Sequence, residues 1–249
     1  MSGHSKWSTI KRKKEKADAA RGKAFTRVIK ELTIAARLGG GDENSNPRLR
    51  TAIQAAKSVN MPSANIERAI KKGTGELPGQ SFEDVVYEGY GPGGAALYIE
   101  ALTDNRNRTV AEIRHLLSKY GGSLGESGSV TWMFSKKGIV TVSSSTTTED
   151  ELMMAALDAG AEDIEVDEEL FRVKSEPGDL EAVKQALTKA GIEFESAELT
   201  MEPSTTVKVD PKSAESLLKL LDSLEEHDDV QNLYSNFDID DSVLEAMDA

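Results

Sequence analysis

The sequence predicts an α+β multidomain protein with an N-terminal small helical domain, a middle α/β domain and an inserted ferredoxin-like α+β domain. Three patterns lead to this fold class. Apolar residues recur at helical spacing in the first 75 residues, strands alternate with helices after residue 77, and residues 138–204 contain a complete strand-helix-strand-strand-helix-strand order. The predicted domains are 1–76 (basic helical domain with an N-terminal arm), 77–137 with 205–249 (middle domain) and 138–204 (acidic insertion).

Three apolar stripes predict the helices of the first domain. One covers residues 25–36 with the spacing of an amphipathic helix, and a run of glycines from Gly39 ends it. Asn46 and Pro47 supply an N-cap and a first-turn proline for the second helix. The third helix is expected within residues 62–73, between a proline and a glycine.

Alternating strand and helix patterns predict the middle domain. Residues 85–87 and 96–102 have the composition and spacing of strands. Thr109, with Glu112 three residues later, forms a capping box that is expected to open a helix. Residues 130–134 predict the next strand.

Two further N-cap signals define the insertion and the tail. Thr148 and Glu151 form a capping box inside residues 138–204, and Asp210 followed by Pro211 opens an apolar helix in the tail. The tail supplies a helix and strands that the middle domain needs for a closed two-layer unit. We therefore expect the ferredoxin-like domain to interrupt the middle domain.

Charge is distributed very unevenly along the chain. The net charge is −13, but residues 1–75 hold 17 basic and 6 acidic residues, whereas the remainder carries 13 basic and 37 acidic ones. This asymmetry is typical of a polyanion-binding segment joined to an acidic body. The alternative is a solvated basic face that binds nothing in particular.

Composition excludes several classes of protein. The chain has no cysteine, which excludes disulfides, thiol nucleophiles and thiolate zinc sites. Its start is charged without an apolar segment behind it, and no apolar run has the length of a membrane span. We therefore expect a cytoplasmic protein with no membrane partner, no metal and no cofactor. No particular oligomeric state is predicted.

The basic segment supplies the predicted nucleic-acid contacts. Lysine and arginine bind phosphates without needing a particular base sequence, and a neighbouring tryptophan can stack on a base. No helix-turn-helix recognition helix with base-reading side chains is evident. The predicted contact residues are Lys6, Trp7, Lys11, Arg12, Lys13, Lys14, Lys16, Arg21, Lys23, Arg27, Lys30, Arg68, Lys71 and Lys72.

Other motifs indicate structure more than chemistry. The glycines of residues 89–94 match a dinucleotide fingerprint by letter, but a strand follows them where that fingerprint needs a helix. The acidic run 163–169 alternates with apolar residues and predicts the solvent face of a strand, without the order of a calcium loop. Residues 104–108 form a polar turn that is either plain turn chemistry or a phosphate site using Arg106 and Arg108. We find no catalytic constellation and predict no catalytic residue.

Several long motifs occur along the chain. They are Gly3-His4-Ser5-Lys6-Trp7, Arg21-Gly22-Lys23, Asn46-Pro47-Arg48-Leu49-Arg50, Met61-Pro62, residues 65–73, residues 87–94 and residues 103–109. Together these motifs resemble one family, YebC/PmpR, which includes a mitochondrial translational activator of cytochrome oxidase. The resemblance covers the whole chain.

The resemblance implies a three-domain, non-enzymatic, cytoplasmic DNA-binding regulator of transcription. It equally implies an alternative, because some members are implicated in translation at ribosomes that stall on proline-rich stretches. In a transcription regulator, the acidic domains would recruit or compete with other proteins. A third hypothesis is an enzyme that uses residues 89–94 with Arg106 and Arg108 on a phosphorylated ligand.

Overall fold

A computed structural model of the chain describes residues 17–79, 81–167 and 170–239. Within these ranges, only the backbone is described for residues 17–23 and for residue 167. It confirms the α+β multidomain fold class. The chain forms two compact units, Met1–Thr131 with Thr205–Ala249, and Trp132–Ser204. No helix among the described residues combines the length and apolar composition needed to cross a bilayer.

The helical domain consists of α1 (Ala17–Gly39), α2 (Pro47–Ser58) and α3 (Ser63–Gly73). The predicted cap of α2 is confirmed, since the Asn46 side chain accepts the backbone N–H of Leu49 at 3.0 Å and Pro47 occupies the first turn. Leu32 of α1, Leu49 of α2 and Ala69 of α3 are buried in one shared core. The three stripes therefore converge as their spacing predicts.

The first part of the middle domain consists of β1 (Glu83–Tyr90), β2 (Ala96–Thr103), α4 (Arg106–Lys119) and β3 (Ser123–Leu124). The capping box predicted at Thr109 is wrong. α4 begins earlier, because the Asn105 side chain accepts the backbone N–H of Arg108 at 3.1 Å. Thr109 lies inside the helix and is fully buried.

The inserted unit consists of β4 (Phe134–Ser143), α5 (Glu149–Ala156), β5 (Ala161–Asp167), β6 (Leu170–Ser175), α6 (Leu180–Lys189) and β7 (Ser196–Pro203). Its sheet order is β5-β6-β4-β7, with every neighbouring pair antiparallel, which is the ferredoxin-like arrangement. The capping box of Thr148 and Glu151 is confirmed.

The strand predicted over residues 130–134 is wrong. Residues Thr131–Met133 form a single 3-10 turn, and β4 begins at Phe134. The physical reason is Glu88, whose buried carboxylate accepts the backbone N–H groups of Val130 and Thr131 at 2.7 and 2.8 Å. These N–H groups are consequently not available to a strand ladder.

The tail completes the middle domain with β8 (Val207–Lys208), α7 (Pro211–Glu225), β9 (Val230–Ser235) and β10 (Phe237–Asp238). The Asp210 cap of α7 is confirmed, with its carboxylate accepting the N–H of Lys212 and of Ser213. Strand β9 joins the sheet in the order β3-β1-β2-β9. Leu217 of α7, Ile113 of α4 and Ile99 of β2 share one core, so both halves of the domain fold together.

Candidate nucleic-acid interface

A basic face on α3 lies in solvent. Ile66 and Ala69 are buried in the helical core, whereas Arg68, Lys71 and Lys72 are exposed. The lysines follow Arg68 by three and four residues, so the three cations share one side of the helix. Within the part of the chain that the structure describes, none of them forms an ion pair or a side-chain hydrogen bond. We call these residues the α3 basic face.

Gly73 fixes the orientation of α3. A Cβ atom at this position would lie 2.3 Å from the Thr33 carbonyl oxygen and 2.8 Å from the Ala36 Cβ, both on α1. The absence of a side chain therefore allows the end of α3 to lie directly against α1. This close packing holds the buried side of α3 inward and its basic face outward.

Most of the other predicted contacts fall outside the described side chains. Those in the N-terminal arm, Lys6, Trp7, Lys11, Arg12, Lys13, Lys14 and Lys16, lie outside the described residues, and only the backbone of Arg21 and Lys23 is described. They stay predictions.

Lys30 does not lie in solvent, which disfavours its predicted contact with a phosphate. Its side chain is buried, and Nζ lies 2.7 Å from a carboxylate oxygen of Asp229 and 2.9 Å from the Asp228 carbonyl oxygen. The ammonium also lies 5.6 Å from the centre of the Phe82 ring, within cation–π range. Lys30 therefore attaches α1 to the middle domain.

Arg27 is likewise engaged internally. Its guanidinium donates to the Glu225 carbonyl oxygen at the end of α7. Burial lowers the pKa of Arg27 from its ordinary value, against the opposing effect of the Glu225 and Asp228 charges. We therefore leave Arg27, with Lys30, out of the proposed interface.

Two further cations of the helical domain contact the middle domain. Arg48 pairs with Glu31 at 2.6 Å and with Asp84 at 2.9 Å, and these hydrogen bonds raise the pKa of Arg48. Arg37 donates to the Phe82 carbonyl oxygen at 3.1 Å. The charge count of the sequence thus overstates how much positive charge can reach a phosphate.

Asp229 accepts hydrogen bonds from side chains of both the helical domain and the middle domain. Its carboxylate accepts hydrogen bonds from Arg108 at 2.8 Å and from the hydroxyls of Thr109 and Thr103 at 2.8 and 3.2 Å, besides the ammonium of Lys30. Residues 104–108, predicted as a polar turn, contain the cap and the first residues of α4. This helix start positions Arg108 and Thr109 for Asp229, which favours a structural role over a phosphate site.

The electrostatics of Asp229 agree with this arrangement. Burial raises the pKa of its carboxyl group, but hydrogen bonds from Lys30, Arg108 and Thr109 outweigh burial and hold the pKa well below its ordinary value. The carboxylate is therefore charged at neutral pH and fully partnered.

Glu112, His227 and Asp229 bring three potential metal-ligand atoms within 4.8 Å of one another. The His227 ring accepts the Asp229 N–H at Nδ1, at 3.1 Å, and its Nε2 lies 2.9 Å from Glu112. Because a lysine and an arginine already contact Asp229, a metal ion here would face two adjacent positive charges. We assign no metal site to this cluster.

Two glycines of the glycine-rich loop allow close packing against the tail. A Cβ at Gly91 would lie 2.8 Å from Leu217, and Gly93, with a φ of +74°, is equally close to Val209. The loop leads into β2, with no helix of the kind that a dinucleotide fingerprint requires. This placement disfavours the enzyme hypothesis.

One member of the acidic run of the insertion, Glu165, is bound by protein cations. Glu165 accepts from Arg172 at 3.0 Å and from Lys174 at 2.6 Å, and Glu202 contacts the same two cations at 3.1 and 2.8 Å. These four side chains form one network across the sheet. The network satisfies Glu165 without a metal ion.

Two family models match the chain, one described as the TACO1/YebC protein N-terminal domain over residues 5–76 and the other as the TACO1/YebC second and third domain over residues 82–237. A probable transcriptional regulatory protein of Desulfotalea psychrophila is 60% identical over 99% of both chains. One of Geobacter sulfurreducens is 57% identical over 99% of this chain and all of that protein.

A solved structure is similar as well. The crystal structure of a conserved hypothetical protein from Aquifex aeolicus is 50% identical and covers 90% of this chain and 93% of its own, with a TM-score of 0.81. The likeness therefore extends over both compact units.

Proposed function

The chain belongs to the TACO1/YebC family, and from this premise we propose that it is a non-enzymatic, nucleic-acid-binding regulator of transcription in the cytoplasm. The relatives' name, probable transcriptional regulatory protein, supports the regulatory role. The observation that carries the proposal is the α3 basic face, whose three exposed cations have no counter-ion among the described residues.

Phosphates are the expected ligand of this face. A cation with no internal partner can contact a phosphate without first breaking an ion pair, and each contact releases counterions from the nucleic acid. The lysines of the N-terminal arm would add further phosphate contacts. Arg27, Lys30, Arg37 and Arg48 would contribute only indirectly, by holding the helical domain on the middle domain.

The composition of α3 also favours a second candidate, a ribosome-associated translation factor that relieves stalling on proline-rich stretches. Base reading in the DNA major groove combines arginine or lysine on guanine with asparagine or glutamine on adenine. The exposed cations of α3 are one arginine and two lysines, and no exposed asparagine or glutamine accompanies them on this helix. Ribosomal RNA would satisfy such a face as well as DNA.

A titration at fixed salt separates the two candidates. The full chain is mixed with a promoter duplex, a scrambled duplex and ribosomal RNA. Phosphate-dominated binding gives less than about a hundredfold preference for the promoter, below the roughly thousandfold or greater preference of specific complexes. A thousandfold promoter preference that RNA cannot compete away would eliminate the ribosomal candidate, and absence of binding to all three would contradict both.

A further inference from the structure

The inserted unit carries an apolar surface that none of the nucleic-acid contacts uses. Met154 is 83% exposed, Leu157 57% and Met153 37%. Met154 and Leu157 are three residues apart, and Met153 and Leu157 four, so all three fall on one side of α5 and the turn after it. Exposed apolar groups that cluster in this way mark interaction sites more often than isolated ones do.

Met154 also lines an open groove of about 600 Å³ on the inserted unit. Its size is within the range of sites that hold a ligand group. Ala155 and Ile192 form its apolar floor, since both are partly buried against the core of the unit. The remaining lining residues are Thr146, Thr147, Glu151, Ala190, Gly191 and Glu193.

The charge around the groove is negative. Residues 132–204 contain 17 acidic and 6 basic residues. Four of the basic residues are engaged by acidic neighbours within the unit, namely Lys137, Arg172, Lys174 and Lys184. Among the described residues, neither Glu151 nor Glu193 pairs with a lysine or arginine, although both line the groove.

We propose that this groove binds a lysine- or arginine-rich protein segment that inserts a bulky apolar side chain beside Met154. Flexible methionine side chains adapt to anchors of different shape. The negative rim would attract the basic residues of the segment and repel nucleic acid and anionic membranes. This site goes beyond the proposed nucleic-acid contacts, since it lies wholly within the inserted unit and uses none of the residues proposed to bind nucleic acid.

The test measures binding of a short fluorescent lysine–leucine peptide to the full chain. Met154→Ser should weaken binding roughly tenfold, because it removes most of the apolar contact of one methionine. The matched control is Val166→Ser, which alters a residue that is 55% exposed on β5 of the same unit. The control should change the affinity less than twofold.

Two further measurements separate the anchor from simple charge attraction. A lysine–serine peptide of equal charge should bind at least tenfold more weakly, and Glu193→Gln should weaken the lysine–leucine peptide at low salt more than at high salt. Equal binding of the two peptides, or equal losses for Met154→Ser and Val166→Ser, would overturn the proposal. Loss of duplex binding by Met154→Ser, with thermal stability unchanged, would also overturn it, because the groove would then be a nucleic-acid site.

Discussion

Lys30 of α1 and Asp229 beside β9 are 199 residues apart in the sequence and 2.7 Å apart in space. Their ion pair joins the helical domain to the middle domain. It also removes from solvent a cation that the sequence assigns to nucleic-acid binding. The most basic part of the chain thus has an internal task besides the external one that we propose.

Replacing Asp229 by Asn should destabilise the first unit. The change leaves Lys30 and Arg108 beside a neutral group, and breaking a buried ion pair from one side costs about 3–5 kcal/mol. Urea unfolding of the full chain, combined with hydrogen exchange of α1 and β9, measures the loss. Lys189→Met is the control, because Lys189 is exposed, and it should remain within about 0.5 kcal/mol of the wild type. An equally small effect of Asp229→Asn would refute the central role of Asp229.

The stabilisation by Asp229 should depend on pH in a defined direction. Because its folded-state pKa is depressed, its contribution is complete above the unfolded value near 3.9 and declines as the pH falls below that value. The difference in unfolding free energy between the wild type and Asp229→Asn should therefore be constant above about pH 5 and shrink below about pH 4. A difference that grew towards acid pH would contradict the assigned charge state.

Gly73→Ala should loosen the contact between α3 and α1. The new methyl group would meet the Thr33 carbonyl oxygen at 2.3 Å, and overpacking of this kind costs about 1–3 kcal/mol. Gly178→Ala is the matched control, because no atom lies within 4 Å of the Cβ at that position and its φ is not positive. Thermal unfolding should distinguish the two variants, and a neutral Gly73→Ala would show that α3 can shift without loss.

The inserted unit should unfold cooperatively as a fragment that starts at Trp132. The predicted boundary at Gly138 omits the residues of β4 that pair with Thr200–Pro203 of β7, and also Lys137, which pairs with Glu162 at 2.7 Å. A fragment of residues 138–204 should consequently be less stable than one of residues 132–204. Denaturant unfolding of the two fragments decides this, and equal stability would favour the later boundary.

Local patterns were sufficient to predict the helices of the first domain and the caps at Asn46, Thr148 and Asp210, because each depends on residues a few positions apart. The Thr109 capping box failed because a local competitor, Asn105, caps the same helix four residues earlier. The strand over residues 130–134 failed because of a distant residue, since the backbone N–H of Val130 donates to Glu88, 42 residues away. No spacing rule along the chain contains that second partner.

The candidate interface was predicted unevenly for the same reason. Arg68, Lys71 and Lys72 follow directly from a basic side opposite an apolar one on α3. Lys30 has the same local appearance, but its partner Asp229 becomes visible only when the tail folds onto the middle domain. The sequence patterns do not predict the exposed methionines of α5 as a binding surface. Two consecutive methionines in a helix that begins with a capping box are the signal that could have indicated it.

The decisive experiment for the α3 basic face is nucleic-acid binding by a variant with Arg68, Lys71 and Lys72 changed to glutamate. The control is Lys189→Glu on the inserted unit, where Lys189 is exposed and a cation is likewise lost. Provided that thermal unfolding shows an intact fold, the triple variant should bind nucleic acid far more weakly than the wild type does. The magnitude of its salt slope should fall by about 0.9 per lost phosphate contact on duplex DNA, or about 0.7 on a single strand, and the control should match the wild type. Unchanged affinity and salt slope in the triple variant would contradict the proposal that the α3 basic face binds phosphates.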